Sequence, residues 1–223
     1  MRTAVVIPAL NEAESLPAVL GDLPEVERVV VVDNGSIDET TQVAARLGAE
    51  VVCAPRRGYG TAVQAGINHL WGDPPEVLVI LDADHADPPE ALGLLVQPIA
   101  EDVADLVLSD RTTTAEPDAL TFVQRFGNGL ATRLIQLVSG HRYRDMGPFR
   151  AIRWSSLLQL QLEDPTWGWN VEMQLKAIRA GLRVLELPLP YRARTKGRSK
   201  ISGSLRGAAR AGVKIVYAVA RYR

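Results

Sequence analysis

The chain has 223 residues with 47% apolar and 23% charged content, which indicates one large domain, or one domain with a C-terminal extension, able to bury a core. Its single cysteine, Cys53, excludes an intrachain disulfide bond, and we expect this side chain to be a small buried apolar group. No run of about 18 apolar residues occurs, so we expect no membrane-spanning segment.

The net charge of −1 conceals an uneven distribution. Residues 191–223 contain ten Lys and Arg residues and no acid, whereas residues 1–190 contain 15 basic against 26 acidic residues, a net charge of −11. A basic end on an acidic body predicts an anionic partner there, and we expect no nucleic acid. Because the chain begins with a predicted strand rather than a signal sequence, we expect a cytoplasmic protein, with the inner face of the membrane as a second location.

Apolar segments rich in β-branched residues alternate with helical patterns in the first half of the chain. They predict strands at residues 3–8, 28–33, 49–53, 77–81 and 105–109. We expect helices between them: one capped by Asn11, two at 38–47 and 59–70, and one that starts at Pro88. The alternation is typical of a doubly wound, mostly parallel α/β sheet flanked by helices.

The pattern changes after Arg111. The predicted elements are then a helix at 120–139, a strand at 149–152, a helix at 170–180, a strand at 183–187 and a helix at 205–222.

Two carboxylates, Asp82 and Asp84, directly follow the apolar run 77–81. Ligands of open α/β sheets bind at the carboxyl ends of strands, and side chains at i and i+2 of an extended chain point the same way. The pair is therefore suited to sharing a divalent cation, or to dividing between a metal and a sugar hydroxyl. The alternative is a strand end followed by an Asx turn.

Other strand ends carry polar groups suited to a nucleotide. Asp33 closes the second strand before Asn34, and a carboxylate there can accept hydrogen bonds from a ribose or base. Arg57 and Gly60 lie between a strand and a helix, where guanidinium and backbone N–H groups can meet phosphate. Turn formation and solvated arginines are the alternatives, and neither a Rossmann fingerprint nor a P-loop occurs.

Together the motifs resemble the family 2 glycosyltransferases of the GT-A fold, particularly the branch of dolichyl- and polyprenyl-phosphate sugar synthases. They occur in the family's order over almost the whole chain: VIPALNE at 6–12, VDNGSIDET at 32–40, GYGTA at 58–62, DADHADPP at 82–89, DMGPFR at 145–150 and GRSKI at 197–201.

The resemblance implies a nucleotide-sugar site with an Mg²⁺ or Mn²⁺ ion. Asp84 would hold the metal that bridges the diphosphate, and Asp82 would share it or contact the ribose or sugar. This branch usually has Gln near Ala86, and we expect Asp87 to cap the following helix rather than to replace that ligand. The implied nucleotide-sugar-binding residues are Pro8, Leu10, Glu12, Asp33, Asn34, Arg57, Gly60, Asp82, Ala83, Arg111, Arg198 and Lys200.

The implied catalytic residues are Asp82, Glu172, Asp145 and Arg150. Glu172 falls where many relatives carry a base, which a hydroxyl acceptor needs and a phosphate acceptor does not. We expect Asp145 to secure the turn at Gly147 or to pair with Arg150. Trp167 and Trp169 are candidates for stacking on a sugar or prenyl chain, with packing as the alternative.

The resemblance also divides the chain into a GT-A domain at 1–190, with a nucleotide-sugar half at 1–111 and an acceptor half at 112–190, and a basic segment at 191–223. In relatives the loop of this segment folds over the donor. The helix within 204–223 would contact a membrane surface, its own domain or the second subunit of a homodimer.

The implied function is inverting, metal-dependent transfer of a hexose from a nucleoside diphosphate sugar to a polyprenyl phosphate or other lipid-linked acceptor. UDP-glucose is the first candidate for the donor and GDP-mannose the second. The alternatives are a small soluble hydroxyl acceptor, a sugar-1-phosphate nucleotidyltransferase, and a non-catalytic nucleotide-sugar-binding protein.

Overall fold

A computed structural model describes residues 1–193 and 205–223, and it describes side chains for 1–193 and 212–223. The strands are β1 (Thr3–Ala9), β2 (Arg28–Asp33), β3 (Glu50–Cys53), β4 (Val77–Ile80), β5 (Leu106–Asp110), β6 (Arg150–Arg153) and β7 (Val184–Pro188). The helices are α1 (Leu16–Gly21), α2 (Thr40–Arg46), α3 (Tyr59–His69), α4 (Leu92–Ala100), α5 (Phe122–Ser139), α6 (Trp154–Leu160), α7 (Gly168–Arg179) and α8 (Leu205–Tyr222).

Within the described residues these strands form a single sheet in the order β3-β2-β1-β4-β6-β5-β7. The pairs β1–β2, β1–β4, β2–β3 and β5–β7 are parallel, and β6 runs antiparallel between β4 and β5. The mostly parallel α/β sheet predicted from the sequence is therefore confirmed. The antiparallel insertion of β6 was not predicted. The division into halves at residue 111 stays a prediction.

Helices cover both faces of the sheet. Because successive side chains of a strand point to opposite faces, each strand contributes to the core on both sides. Val6, for example, lies in the core beneath α3, α5 and α7, whereas Val5 lies in the core beneath α1 and α4. All four residues of β4 are fully buried. Such a strand suits a β-branched and aliphatic run covered on both sides.

The C-terminal helix α8 packs on the domain through one face. Ala218, Val219 and Tyr222 are buried, and α8 meets α5 where Ile215 approaches Gly127. The helix predicted at 205–222 is confirmed. Of the contacts expected for it, the face with Ala218, Val219 and Tyr222 packs on its own domain. Among the described helices, none is long and apolar enough to cross a bilayer.

Two local expectations were wrong, and one helix was not predicted. Asn11 does not cap α1: its backbone has φ 52°, and its Oδ1 accepts a hydrogen bond from Ile37 N at 2.8 Å, so it fastens the loop after β1 to the loop after β2. Cys53 is exposed because β3 is the edge strand of the sheet. Helix α6 was missed, since its seven residues follow β6 directly.

We expect Asp105→Asn to destabilise the fold at neutral pH. Asp105 accepts hydrogen bonds from Arg183 N and Nε, both at 3.0 Å, where β7 joins β5. Hydrogen bonding to Arg183 lowers the pKa of Asp105 to about 2. A carboxylate whose pKa is lower in the folded than in the unfolded state stabilises the fold at pH values above its unfolded pKa. The stabilisation by Asp105, about 1–2 kcal/mol, therefore disappears as the pH falls from about 4 to 2. Urea unfolding of both proteins at several pH values measures it.

The exposed carboxylate of Asp102, which also pairs with Arg183, supplies the control. Asp102→Asn should change stability less than Asp105→Asn at pH 7. A difference between wild type and Asp105→Asn that stays constant down to pH 2 would contradict the assignment.

Candidate active site

A cavity of about 300 Å³ opens at the carboxyl ends of β1, β2 and β4. It contains Pro8, Leu10 and Glu12 from the end of β1, Asn34 from the loop after β2, and Arg57 from the loop after β3. Asp82, Ala83 and Asp84 enter it after β4. All eight of these residues are predicted from the sequence to bind the donor or the metal. They lie up to 76 positions apart in the chain, and the fold brings them together.

The two carboxylates reach the cavity from a turn rather than from an extended strand. β4 ends at Ile80, and the chain turns at Ala83 and Asp84. Asp84 is 6% exposed, and its Oδ1 accepts a hydrogen bond from Ala86 N at 3.0 Å, which is the Asx geometry of the alternative reading. The turn orients Asp84 while both side chains still face one cavity.

The opposite wall is held by hydrogen bonds between loops. Asn34 Oδ1 accepts a bond from Gly58 N at 2.9 Å, and Arg57 Nη2 donates to Gly35 O at 3.0 Å. Asp33 does not line this cavity: its carboxylate accepts bonds from Gly35 N and Ser36 N and shapes the turn that presents Asn34. The turn-forming alternative therefore describes Asp33.

Two aromatic residues outside the predicted binding set also line the cavity. Tyr59 lies at the start of α3, and Trp167 is 42% exposed on the loop before α7. The sequence makes Trp167 a candidate for stacking, and this position agrees with that role. Trp169 is fully buried and packs in the core, edge-on to Tyr59. The GYG sequence between a strand and a helix was the signal for Tyr59.

Arg111 and Asp145 form a buried ion pair, and neither residue lines the cavity. Arg111 Nε and Nη2 donate to the two carboxylate oxygens at 2.7 and 2.9 Å, and Arg111 N adds a third bond at 2.9 Å. Tyr191 stacks on the guanidinium at 4.9 Å. Burial raises the pKa of Asp145, but the bonds from Arg111 outweigh it and the pKa lies below its usual value. Asp145 Oδ1 also accepts a bond from Met146 N at 2.7 Å, so of its two expected roles it secures the turn at Gly147 and does not pair with Arg150.

Arg150 is fully buried and braces the turn that precedes it. Its guanidinium donates to the carbonyl oxygens of Gly147 and Pro148. Burial lowers the pKa of Arg150, and the nearby charge of Asp82 acts in the opposite direction. Arg150 thus supports the turn at Gly147 and Pro148 and does not line the cavity.

Asp87 is 1% exposed and does not cap the following 3₁₀ turn at Pro89–Ala91. Neither of its carboxylate oxygens has a hydrogen-bond partner among the described residues. Burial, together with the charges of Asp82 and Asp84, raises the pKa of Asp87 well above its usual value although Arg111 lowers it. The expectation that Asp87 is a helix cap was therefore wrong.

Glu172 is fully buried on α7 and holds a loop. Its carboxylate accepts bonds from Glu163 N at 3.0 Å, Asp164 N at 2.7 Å and Lys176 Nζ at 2.7 Å. It lines neither this cavity nor the neighbouring one beside α3. We therefore do not assign Glu172 the role of a base, because its carboxylate is turned to the loop.

Gly60 lies in that neighbouring cavity, between α3 and the loop before α7. At the start of the basic segment, Arg192 N donates to Ala86 O at 2.8 Å, and the Arg192 side chain pairs with Glu90. The start of the segment is thus fastened to the turn that carries Asp84. The predictions for Arg198 and Lys200 lie outside the described residues.

The family described as Glycosyl transferase family 2 matches residues 4–160 of the chain. The chain belongs to glycosyltransferase family 2. It is 42% identical over 203 residues to an uncharacterized glycosyltransferase of Mycobacterium tuberculosis, with 91% of each chain covered. It is 33% identical over 211 residues to a dolichyl-phosphate hexose transferase of Haloferax volcanii, covering 92% of this chain and 89% of the relative.

A third relative of this glycosyltransferase is an undecaprenyl-phosphate mannosyltransferase of Micrococcus luteus, 32% identical over 231 residues, covering 94% of this chain and 91% of the relative. A solved structure of glucosyl-3-phosphoglycerate synthase from Mycobacterium tuberculosis, in complex with Mn²⁺, UDP-glucose and phosphoglyceric acid, superposes with a TM-score of 0.75. The sequences are 22% identical, and 99% of this chain and 79% of that chain are covered. The fold is therefore GT-A, as expected, and the nucleotidyltransferase and non-catalytic alternatives are set aside.

We expect Glu172→Gln to lower the thermal unfolding midpoint by about 5–10 °C, because it breaks a buried charge pair with Lys176. Sugar transfer should keep its kcat within about threefold of wild type. Thermal unfolding and turnover measured on the same preparation test both. Glu163→Gln, which changes an exposed neighbour, is the control and should alter neither. A base would instead give a loss in kcat of about 10²–10⁴-fold at an unchanged midpoint.

Proposed function

We propose that this glycosyltransferase moves a hexose from a nucleoside diphosphate sugar to a lipid-linked phosphate, with UDP-glucose as first and GDP-mannose as second candidate donor. The observation that carries the proposal is the convergence of Asp82 and Asp84 with Pro8, Asn34 and Arg57 on one cavity. Carboxylates on one wall and a backbone-rich, cationic wall opposite suit a diphosphate with its sugar and base. Tight turns at strand ends place these groups before any ligand enters.

The carboxylate pair fits a divalent metal that binds together with the diphosphate. No group of three or more His, Cys, Asp or Glu side chains suited to a metal occurs among the described residues. Mg²⁺, and Mn²⁺ with similar oxygen preference, is commonly held by one or two carboxylates plus substrate phosphates and water. Asp84 would hold the metal and Asp82 would share it. When bound, the ion would neutralise charge on the leaving nucleoside diphosphate.

The chain's own residues orient the donor in this scheme. Pro8 and Leu10 offer apolar contact to one side of the nucleoside, and Asn34 is fixed by its bond to Gly58 N. Arg57 lies where a phosphate would pass between the walls. Trp167 lines the cavity and would exclude water from the sugar. Because these groups are held in advance, binding costs little ordering.

A phosphate acceptor agrees with the position of Glu172. A phosphate oxygen is already anionic and attacks without a base, whereas a hydroxyl acceptor requires one. The carboxylate predicted for that role is engaged by Lys176 and the loop amides. Two relatives named for dolichyl-phosphate and undecaprenyl-phosphate transfer support the same acceptor class.

The surface of α5 and α8 fits a lipid-linked acceptor, since it suits an anionic bilayer. Residues 119–144 contain four arginines and no acid, and residues 205–223 contain no acid. Phe122 and Phe126 stack on each other at 6.4 Å while 79% and 53% exposed. Exposed apolar side chains beside basic ones are the features by which helices bind the surface of a membrane.

We expect Asp84→Ala to abolish the metal-dependent part of nucleoside diphosphate binding without unfolding the protein. Calorimetric titration of UDP, GDP and dTDP with and without Mn²⁺ measures it. Micromolar, metal-dependent binding of one of them by wild type identifies the donor class. The exposed Asp73, which pairs with Arg2, supplies the control, and Asp73→Ala should bind as wild type. Equal metal dependence in Asp84→Ala would reject the site.

We expect the double variant Phe122→Ser, Phe126→Ser to sediment at least about tenfold less with vesicles that contain phosphatidylglycerol. A buried phenylalanine contributes about 1.5–3 kcal/mol, so losing two partly inserted rings gives such a change. Trp71→Ser removes an exposed aromatic residue elsewhere and should leave sedimentation unchanged. Equal sedimentation of all three proteins would show that α5 does not face the membrane.

A further inference from the structure

The loop 161–167, between α6 and α7, lies against the start of α3. A Cβ atom at Gly60 would stand 1.9 Å from Asp164 O, and one at Gly58 would stand 2.2 Å from Pro165 O. Thr61 N donates to Pro165 O at 3.1 Å. The loop therefore rests backbone to backbone on the segment that lines the donor cavity, and it carries Trp167 into the cavity.

A buried carboxylate sets the shape of this loop. Asp164 is 2% exposed, and its Oδ1 accepts bonds from Thr166 N and Thr166 Oγ1, both at 2.8 Å. A Cβ atom at Gly168 would stand 2.3 Å from Asp164 Oδ2, so the carboxylate also packs on the first residue of α7. A shift of Asp164 would therefore move both ends of the segment that holds Trp167.

The cation that pairs with Asp164 comes from the C-terminal helix. Lys214 Nζ lies 2.9 Å from Asp164 Oδ2, across 50 positions of sequence, and the lysine side chain is 27% exposed. Burial raises the pKa of Asp164, but hydrogen bonds from Lys214 and Thr166 outweigh it and lower the pKa. Without the ammonium group, the buried carboxylate would be stable only if the loop moved to admit water.

We propose that Lys214 is a positioning residue for the donor site: through Asp164 it fixes the loop that brings Trp167 to the cavity. The inference rests on the proposed nucleotide-sugar site and adds α8 to the elements that determine donor affinity. Helix α8 then has two roles on different sides. Its outer side carries the exposed Val213, Val216 and Tyr217, while Lys214 reaches inward to Asp164.

The test compares Lys214→Ala and Lys214→Arg with wild type. Calorimetric titration uses whichever nucleoside diphosphate wild type binds in the presence of Mn²⁺. We expect Lys214→Ala to raise Kd between about 2- and 30-fold, the range for mutations that act through a coupled element. Lys214→Arg keeps the ion pair and should restore Kd to within about twofold of wild type. The thermal unfolding midpoint of each variant is measured first, and the titrations are done below it so that the titrated protein is folded.

Arg221→Ala is the matched control, because Arg221 lies on the same helix and pairs with Glu163 of the same loop at 2.8 Å. Both of those side chains are half exposed, so the variant should bind as wild type. Wild-type affinity in Lys214→Ala, or an equal loss in Arg221→Ala, would overturn the inference.

A second measurement needs no ligand and so separates this inference from the proposed function. Acrylamide quenching of Trp167 is obtained as the difference between proteins with and without Trp167→Phe. We expect Trp167 to be more accessible in Lys214→Ala than in wild type, and Lys214→Arg to match wild type. Unchanged quenching in Lys214→Ala would overturn the positioning role even if wild type binds nucleotide. Absence of nucleotide binding by wild type would instead reject the proposed donor site.

Discussion

The site depends on one close backbone contact, where the carbonyl groups of Asp164 and Pro165 lie on Gly60 and Gly58. A Cβ atom at either glycine would overlap the facing oxygen, so a side chain cannot be placed there. Gly58 has φ 147°, which is a second reason for glycine at this position. The contact joins the first half of the chain, with its parallel strands, to the loop of the second half that carries Trp167. The contact therefore holds the loop that brings Trp167 to the cavity.

Much of the sheet could be predicted because the strands are short apolar runs that end in polar turns. The five strands expected before Arg111 are present, and none of their ends is shifted by more than one residue. The direction of β6 could not be predicted, since RAIR contains too little pattern to show which neighbours it joins. Its place between β4 and β5 follows from pairing with residues more than 40 positions away, and this is a property of the whole fold.

The cavity wall was predictable for the same reason: residues at the carboxyl ends of neighbouring parallel strands must lie close together. The ion pairs were not. Asp145 joins Arg111 across 34 positions and Asp164 joins Lys214 across 50, and no periodicity links such residues. Glu172 shows the same limit, because a glutamate on a helix reads identically whether it faces a substrate or a loop amide. Burial and hydrogen bonds decide between the two.

The electrostatics of the cavity explain why a metal would enter with the donor. Asp145 keeps its charge because Arg111 binds both of its oxygens, whereas burial and the charges of Asp82 and Asp84 disfavour the charged form of Asp87. Because Asp145 is engaged by Arg111 and Asp87 disfavours its charged form, the proposed cation site uses Asp82 and Asp84. Two carboxylates are too few for the six oxygen ligands that Mg²⁺ prefers. The remaining oxygens must come from the diphosphate and from water. Affinity for the metal would then be coupled to affinity for the nucleotide, and a displacement of Trp167 with the loop held by Lys214 would weaken both together.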